Sequence, residues 1–354
     1  MYDLNDYNYE LPAELIAQQP VEQRDRSKLL GLDRQTGKLT HSVFTAVADN
    51  LKFGDVLVLN NTAVIPGRLE GKKETGGKVE VLIADFAGGL KSKEKNGHFV
   101  CRCLVKASKR SSRGNWFHFA DGLKAEVLDV GKTDYRLKFY ADGDFETLLY
   151  RIGQVPLPPY IKRNSGKMPG CDDKIAYQTV YASRQGAIAA PTAGLHFTEK
   201  LLNELRDRGV KIAKLTLHVG YGTFLPVRVS DIRQHQMHAE PFTISAKTAE
   251  TINDARAQGK RVVAVGTTCV RTIEYASQSN GEVQAGSGSC DLYIYPGYRF
   301  QTVDAIITNF HLPQSTLLML VSAFAGRQNV LNAYREAIRK QYRFYSYGDA
   351  MFIH

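Results

Sequence analysis

The sequence predicts an α/β protein: a large α/β domain with a mixed sheet, and a small all-β barrel inserted in it. Three observations carry that prediction. Val56-Leu57-Val58-Leu59 is a continuous apolar run, the pattern of a strand buried on both faces. Beyond residue 157, strand-like runs alternate with helical patterns, which argues helices layered on a sheet. Between residues 71 and 140 the chain instead carries short strand-like runs separated by glycines and charges, with no helical period. The expected boundaries are 1–66 and 157–354 for the large domain and 67–156 for the barrel. Insertion is preferred over two consecutive domains because the buried strand at 56–59 finds its sheet partners only after the barrel.

The elements follow in order. Residues 27–32 and 38–43 form a hairpin around the turn-forming Asp33-Arg34-Gln35-Thr36-Gly37. Gly54-Asp55 turns the chain into the buried strand. Barrel strands are expected at 79–84, 99–105, 116–119, 125–130 and 135–140. Pro156-Leu157-Pro158-Pro159 is a stiff extended crossing at the domain boundary. A strand at 187–190 comes next, and then Thr198 caps a helix through Asp207 that ends before Gly209. A strand at 210–217 precedes a helix from the cap Ser245 to Gln258, stopped by Gly259. Strands at 261–265 and 305–308, a short helix from Thr268, and helices at 315–325 and 329–340 complete the chain. Leu317–Leu320 with Val321 and Phe324 reads as a core helix.

Composition excludes several classes. The 354 residues are 43% hydrophobic and 23% charged, an ordinary globular mixture. No apolar stretch is long enough to cross a bilayer, and no secretory signal opens the chain. The five cysteines are scattered, odd in number and without a C-x-x-C pair, against both a disulfide framework and a cysteine zinc site. A cytoplasmic monomer is the expectation. The formal charge of +10 favours a polyanionic partner. From Lys91 to Gly114 there are eight basic residues against Glu94, including Lys109, Arg110 and Arg113, with Trp116, Phe117 and Phe119 close behind. Lys162, Arg163 and Lys167 follow the proline crossing, and a third basic cluster spans 327–343. A solvated loop face explains one such cluster; three in one chain point toward a phosphate backbone.

The motifs of dinucleotide binding, phosphate loops, zincins and serine hydrolases are absent. What stands out is a set of polar turns at expected strand ends: Asn60-Asn61-Thr62, Pro191-Thr192-Ala193-Gly194-Leu195-His196, His218-Val219-Gly220-Tyr221-Gly222-Thr223-Phe224, Gly266-Thr267-Thr268-Cys269-Val270-Arg271 and Thr308-Asn309-Phe310-His311. One such turn needs only loop geometry as its reason. Five make a pocket, because open α/β sheets bind small molecules outside the carboxyl ends of their strands. His235-Gln236-Met237-His238-Ala239-Glu240 would place two histidines on one face of a helix. Without outer partners to orient them, they read as a hydrogen-bonded or substrate-facing pair, not a metal site. His98, His118 and His354 read as surface residues, and Glu274 as a local ion-pair partner of Arg271 three positions before it.

These turns, with Tyr342-Arg343-Phe344-Tyr345-Ser346-Tyr347-Gly348-Asp349, closely resemble the S-adenosylmethionine:tRNA ribosyltransferase-isomerases of queuosine biosynthesis, in order and over nearly the whole chain. Gly67 stands where alanine is expected before Arg68, a small departure. The resemblance implies transfer of the ribosyl group of S-adenosylmethionine to 7-aminomethyl-7-deazaguanine at the tRNA wobble position. The ribosyl is rearranged to an epoxycyclopentane, which gives epoxyqueuosine, adenine and methionine. It also implies an α/β fold with an inserted barrel, no metal or other cofactor, and S-adenosylmethionine as a consumed substrate.

Within that reaction His218, His235 and His238 are the candidates for proton transfer. Glu240 is a candidate base or a partner for the cationic aminomethyl group. Thr192, Gly194, His196, Gly220, Tyr221, Gly222, Thr267 and His311 would line the S-adenosylmethionine, and Arg68 and Arg271 suit its carboxylate. Lys109, Arg110, Arg113, Lys162 and Arg163 form the expected tRNA surface. Two rival readings remain. A non-catalytic RNA-binding module leaves the polar turns unexplained. A methyltransferase would show a glycine-rich loop after its first strand, where this chain has Asn60-Asn61-Thr62.

Overall fold

The computed structural model describes residues 2–163, 171–279 and 281–354. Lys167, one of the basic residues singled out above, lies outside them. The strands are β1 (Lys28–Leu32), β2 (Leu39–Val43), β3 (Val56–Asn60), β4 (Thr62–Val64), β5 (Arg68–Lys73), β6 (Lys78–Ile83), β7 (Phe99–Ala107), β8 (Trp116–Phe119), β9 (Lys124–Val130), β10 (Tyr135–Tyr140), β11 (Arg184–Ala187), β12 (Lys211–Leu217), β13 (Glu240–Ile244), β14 (Val262–Val265), β15 (Gly286–Cys290), β16 (Ala305–Asn309) and β17 (Ala350–Ile353). The α-helices are α1 (Val47–Asn50), α2 (Phe86–Asn96), α3 (Phe145–Ile152), α4 (Asp173–Ala176), α5 (Glu199–Asp207), α6 (Ala246–Ala257), α7 (Thr267–Ala276), α8 (Thr316–Ala325) and α9 (Arg327–Arg339).

Nine strands form one mixed sheet in the order β15-β13-β12-β3-β14-β16-β17-β1-β2. Its centre, β12-β3-β14-β16, is parallel throughout. The residues dictate this: β3, β14 and β16 are buried at every position, as strands covered on both faces must be. One face is covered by a core that includes side chains of α6, α7, α8 and α9; the other is covered by α5 and the segment around Phe44 and Phe197. The helix caps at Thr198 and Ser245 fall where the sequence places them, and Ser315, expected as the first residue of its helix, is its cap. Thr198, Ser245 and Ser315 each accept a bond from the amide three residues on, to Leu201, Thr248 and Leu318.

Strands β5 to β10 close an antiparallel barrel in the order β10-β7-β6-β5-β8-β9 around its own apolar core. Strands of the large sheet lie on both sides of it in the chain, with β1 to β3 before and β12 onward after. All five cysteines are free thiols, and His98, His118 and His354 are exposed.

Several local expectations need correction. The barrel segment is not all β: α2 runs through the lysine-rich stretch. Asp85 caps its Gly88 amide at 2.9 Å, and Gly97 ends it at φ +70°. Two glycines and six charged or polar residues in that helix blur its apolar face, which hides the helical period. The strand expected at 187–190 is β11, which ends at Ala187 as the chain turns toward Pro191, a residue with no amide to pair. The β15 sequence Gly-Ser-Gly-Ser-Cys has little strand preference and is strand only because β13 pairs it along its length.

Glu274 makes no local pair with Arg271. It is fully buried and accepts the amides of Gln301, Thr302 and Val303 at 2.8–3.0 Å and the Tyr298 hydroxyl at 3.1 Å. This carboxylate anchors the chain entering β16 to helix α7. Glu274→Ala orphans three amides, two of them buried, so we expect chemical denaturation to show a loss of about 3–5 kcal/mol.

Candidate functional site

Because β12, β3, β14 and β16 run parallel, their carboxyl ends emerge at one edge of the sheet. Asn60, at the end of β3, is fully buried there. Its side-chain amide donates to the Leu217 carbonyl at 2.9 Å and accepts the Leu217 and Thr62 amides at 3.1 Å. A side chain thus continues the β3–β12 ladder one rung past the strand, while the backbone of Asn61 and Thr62 turns away into β4.

The turns at this edge wall a cavity that is open to solvent. Its lining includes Pro191, Thr192 and Ala193 after β11, Val219 and Thr223 after β12, Gly266, Thr267 and Thr268 after β14, and Thr308 to Leu312 at the end of β16. Tyr160, Tyr177, Tyr345 and Ser346 close the remaining side. Helix α7 begins in the wall. Gly266, at φ +85°, is its N-cap and offers no capping side chain, so the first-turn amides face the space beside the Thr267 and Thr268 hydroxyls.

Of the residues singled out from the sequence, Thr192, Thr267 and His311 line the cavity. Thr192 donates to Asn309 Oδ1 at 2.9 Å. His311 is held by Thr308 Oγ1 at 2.8 Å from its Nε2, and burial pushes its pKa down to about 3. His196 sits one layer behind. Its Nδ1 meets Ser27 Oγ at 2.7 Å, its Nε2 meets Asn309 Nδ2 at 3.2 Å, and the ring stacks on Phe44. With both nitrogens spent, and burial holding its pKa down to about 3, His196 is a neutral brace for Asn309. Gly194 does not offer its amide to a ligand: that amide bonds Pro191, and a Cβ there would strike the Tyr181 hydroxyl.

His218 is half-buried at the end of β12, with Nδ1 2.7 Å from Thr62 Oγ1. Thr62 Oγ1 also donates, at 3.4 Å, to the Arg184 carbonyl. It therefore accepts from the imidazole, which leaves Nε2 as the unprotonated nitrogen. Burial lowers the His218 pKa and keeps the ring neutral. The 235–240 segment is extended, not helical, because it feeds directly into β13. His235 packs against Tyr293 and has its pKa lowered, first by burial and then by His238. His238 is exposed and lies over Gly222, where any Cβ would collide with it. Among the described residues no cluster of three metal-ligating side chains occurs.

Glu240 and Arg271 form a buried pair at 2.5 Å. The other Glu240 oxygen accepts the Gly220 amide at 2.8 Å, and Arg271 also donates to the carbonyls of Leu292 and Cys290. The pair ties the loop after β12 to helix α7, so neither charge is presented to a carboxylate or an amine. Tyr221 is exposed on that loop. Arg68 lies on the barrel, bound to Glu80 at 2.8 Å, away from the cavity lining. Lys109, Arg110, Arg113 and Lys162 are exposed. Arg163 is a structural tie: its guanidinium grips both oxygens of Asp173 and the Gln18 carbonyl.

Sequence reasoning did not single out Tyr160, Tyr177, Tyr345 or Ser346 as lining residues. Tyr345 takes φ +70°, a strained conformation for a bulky residue, and its carbonyl accepts from Asn309. No periodic pattern signals such a position.

Taken together, a cavity at the carboxyl edge of a parallel sheet, beside a helix N-terminus, defines an α/β protein of the kind that binds small molecules at that edge. The particular family follows from comparison. The family model described as "Queuosine biosynthesis protein" matches residues 4–353, and the chain belongs to that family. A Trichlorobacter lovleyi protein named S-adenosylmethionine:tRNA ribosyltransferase-isomerase is 49% identical over 351 residues, 99% of each chain. A Geotalea uraniireducens protein of the same name is 51% identical over 352 residues, again 99% of each. The crystal structure of S-adenosylmethionine tRNA ribosyltransferase from Thermotoga maritima is 35% identical, with a TM-score of 0.55 over 99% of this chain and 100% of its own. The resemblance read from the polar turns holds.

The two buried histidines make stability depend on pH. Each falls from an ordinary pKa of 6.5 to about 3 on folding, so the unfolded chain takes up the proton first. Their contribution is complete above pH 6.5 and is lost as pH falls toward 3, by at most about 1.4 kcal/mol per pH unit for each. Urea unfolding between pH 7 and 5 should show that decline, and His196→Gln should flatten it.

Proposed function

We propose that this chain transfers and isomerises the ribosyl group of S-adenosylmethionine onto 7-aminomethyl-7-deazaguanine at the wobble position of tRNA, releasing adenine and methionine. The observation that carries the reading is the cavity at the carboxyl edge, in a chain about half identical, end to end, to proteins that bear this name. S-adenosylmethionine is consumed, and the reaction as proposed uses no metal or other cofactor.

The chemistry asks for a base near the ribose 5′ carbon, whose proton is acidified by the adjacent sulfonium. His218 fits best. It is neutral, and its Thr62 contact turns Nε2 into the acceptor. His311 is a neutral hydrogen-bonding group in the lining, too depressed in pKa to hold the proton it would take. The carboxylate of the methionine end goes to the first turn of α7, where free amides and the Thr267 and Thr268 hydroxyls lie together. That assignment replaces Arg271, which is committed to Glu240, and Arg68, which is committed to Glu80. Glu240 acts by position, through the loop that carries Gly220 and Tyr221. An anticodon loop can present its wobble base splayed out, and the basic barrel loop at Lys109, Arg110 and Arg113 offers the phosphates a surface.

Chromatography of small molecules released from S-adenosylmethionine and tRNA carrying 7-aminomethyl-7-deazaguanine tests the reaction class. Adenine with methionine, dependent on that tRNA, is the expected result. S-adenosylhomocysteine would mark a methyltransferase, and no product with tRNA still bound would mark a binding module. His218→Asn should lower turnover about 10²–10⁴-fold with S-adenosylmethionine binding retained; full turnover would remove it as the base. Neutralising Lys109, Arg110 and Arg113 together should weaken tRNA binding and make its salt dependence shallower. An unchanged slope would place the phosphates elsewhere.

A further inference from the structure

We infer that the outer face of the barrel across β8, β9, β10 and β7 docks a single-stranded stretch of RNA. Trp116 is the ring on which a base stacks, and an Arg102–Arg136 rung receives the phosphates. The inference rests on the tRNA reading above and gives it an address beyond the basic loop.

Register and burial define the face. Barrel strands alternate inward apolar and outward polar residues: Phe117, Ala125, Leu137 and Cys101 point in, and their sequence neighbours point out. Outward, Trp116 stands opposite Glu126, which stands opposite Lys138. In the next row Lys124 stands opposite Tyr140. The Trp116 and Tyr140 rings meet at 5.0 Å, His98 reaches the Tyr140 ring at 6.0 Å, and the Lys138 ammonium lies 4.8 Å from its centre. The Tyr140 hydroxyl donates to Glu126 at 2.8 Å, which fixes the ring. Three rings and a cation gathered on a strand surface make a stacking platform, the arrangement by which barrel folds hold unpaired bases.

Beside the platform, Arg102 and Arg136 are register partners on β7 and β10. Both are exposed, and neither enters an ion pair among the described residues. Like charges directly opposite on a sheet cost stability, a cost an anion lying between them removes. The acids on this face are Glu126, already bonded to Tyr140, and Asp129. Asp129 stands opposite Arg136 on β9, but its Oδ1 accepts the Val130 amide. Lys124, Lys138 and the two arginines outweigh them, so the face suits a polyanion.

The face is also continuous with the basic loop. Residues 108–115 lead directly into Trp116, and the Arg110 guanidinium donates to the Gly131 carbonyl at the β9–β10 turn. Lys109, Arg110 and Arg113 thus flank the same end of the barrel. A single strand is favoured over a duplex because a duplex keeps its base faces stacked inside, where no ring can reach them.

Trp116 is the only tryptophan of the chain, so the platform reports on itself. Titration with substrate tRNA should quench the intrinsic fluorescence, with the midpoint that anisotropy of labelled tRNA gives. Trp116→Ala should weaken tRNA binding about tenfold while leaving S-adenosylmethionine binding and Tm unchanged. Arg102→Ala with Arg136→Ala should make the salt slope shallower by about 2. If tRNA binds with fluorescence, affinity and salt slope all unaltered, this face is not its surface, although the tRNA reading survives. If no tRNA binds by anisotropy, that reading falls and the surface falls with it.

Discussion

The site depends on the pairing of the Asn60 side chain with Leu217. Four parallel strands end at one edge, and each leaves backbone groups there that need partners. Asn60 satisfies the amide and the carbonyl of Leu217 together. That lets β3 leave the sheet at Asn61 while β12 runs on to His218. The cavity lies at this divergence, in the place where open α/β sheets hold their ligands. The neighbouring strand ends then add their own contributions: a helix N-terminus after β14 and an asparagine–histidine brace at the end of β16.

The chemistry of the site follows from which polar groups the fold consumes and which it leaves. His196 has both nitrogens bonded, Glu240 and Arg271 are spent on each other, and Arg163 is spent on Asp173. These buried, satisfied groups hold loops in place. Their value is geometric, because a charge that already has its partner offers little to a ligand. His218 differs: it is only half-buried, and Thr62 meets one of its nitrogens while the other has no such partner assigned to the fold.

The barrel solves a separate problem. A closed sheet has no edge to protect and can give its whole outer surface to a partner. Its inward residues build an independent apolar core. Its outward rows can therefore carry opposed arginines and half-buried rings without loss of the fold. On the function proposed above, small-molecule chemistry and polyanion contact are divided between two sheets of different construction.

The amino-acid sequence alone determined the α/β architecture and the turns that line the cavity. Apolar runs, capping residues and glycine stops are local signals, and they marked β3, α5, α6 and α8. Polar turns at strand ends marked the cavity because strand direction and turn chemistry are both local. Tertiary structure decided everything that depended on partners distant in the chain. Arg271 and Glu240 are 31 residues apart, and His196 and Asn309 are 113 apart, so no spacing rule separates a free charge from a consumed one. The strand identity of β15, the commitment of Glu274 to three amides before β16, and the meeting of Trp116 with Tyr140 have the same cause. Each is fixed by which surfaces the sheet and the barrel bring together, information that a residue's own neighbours do not carry.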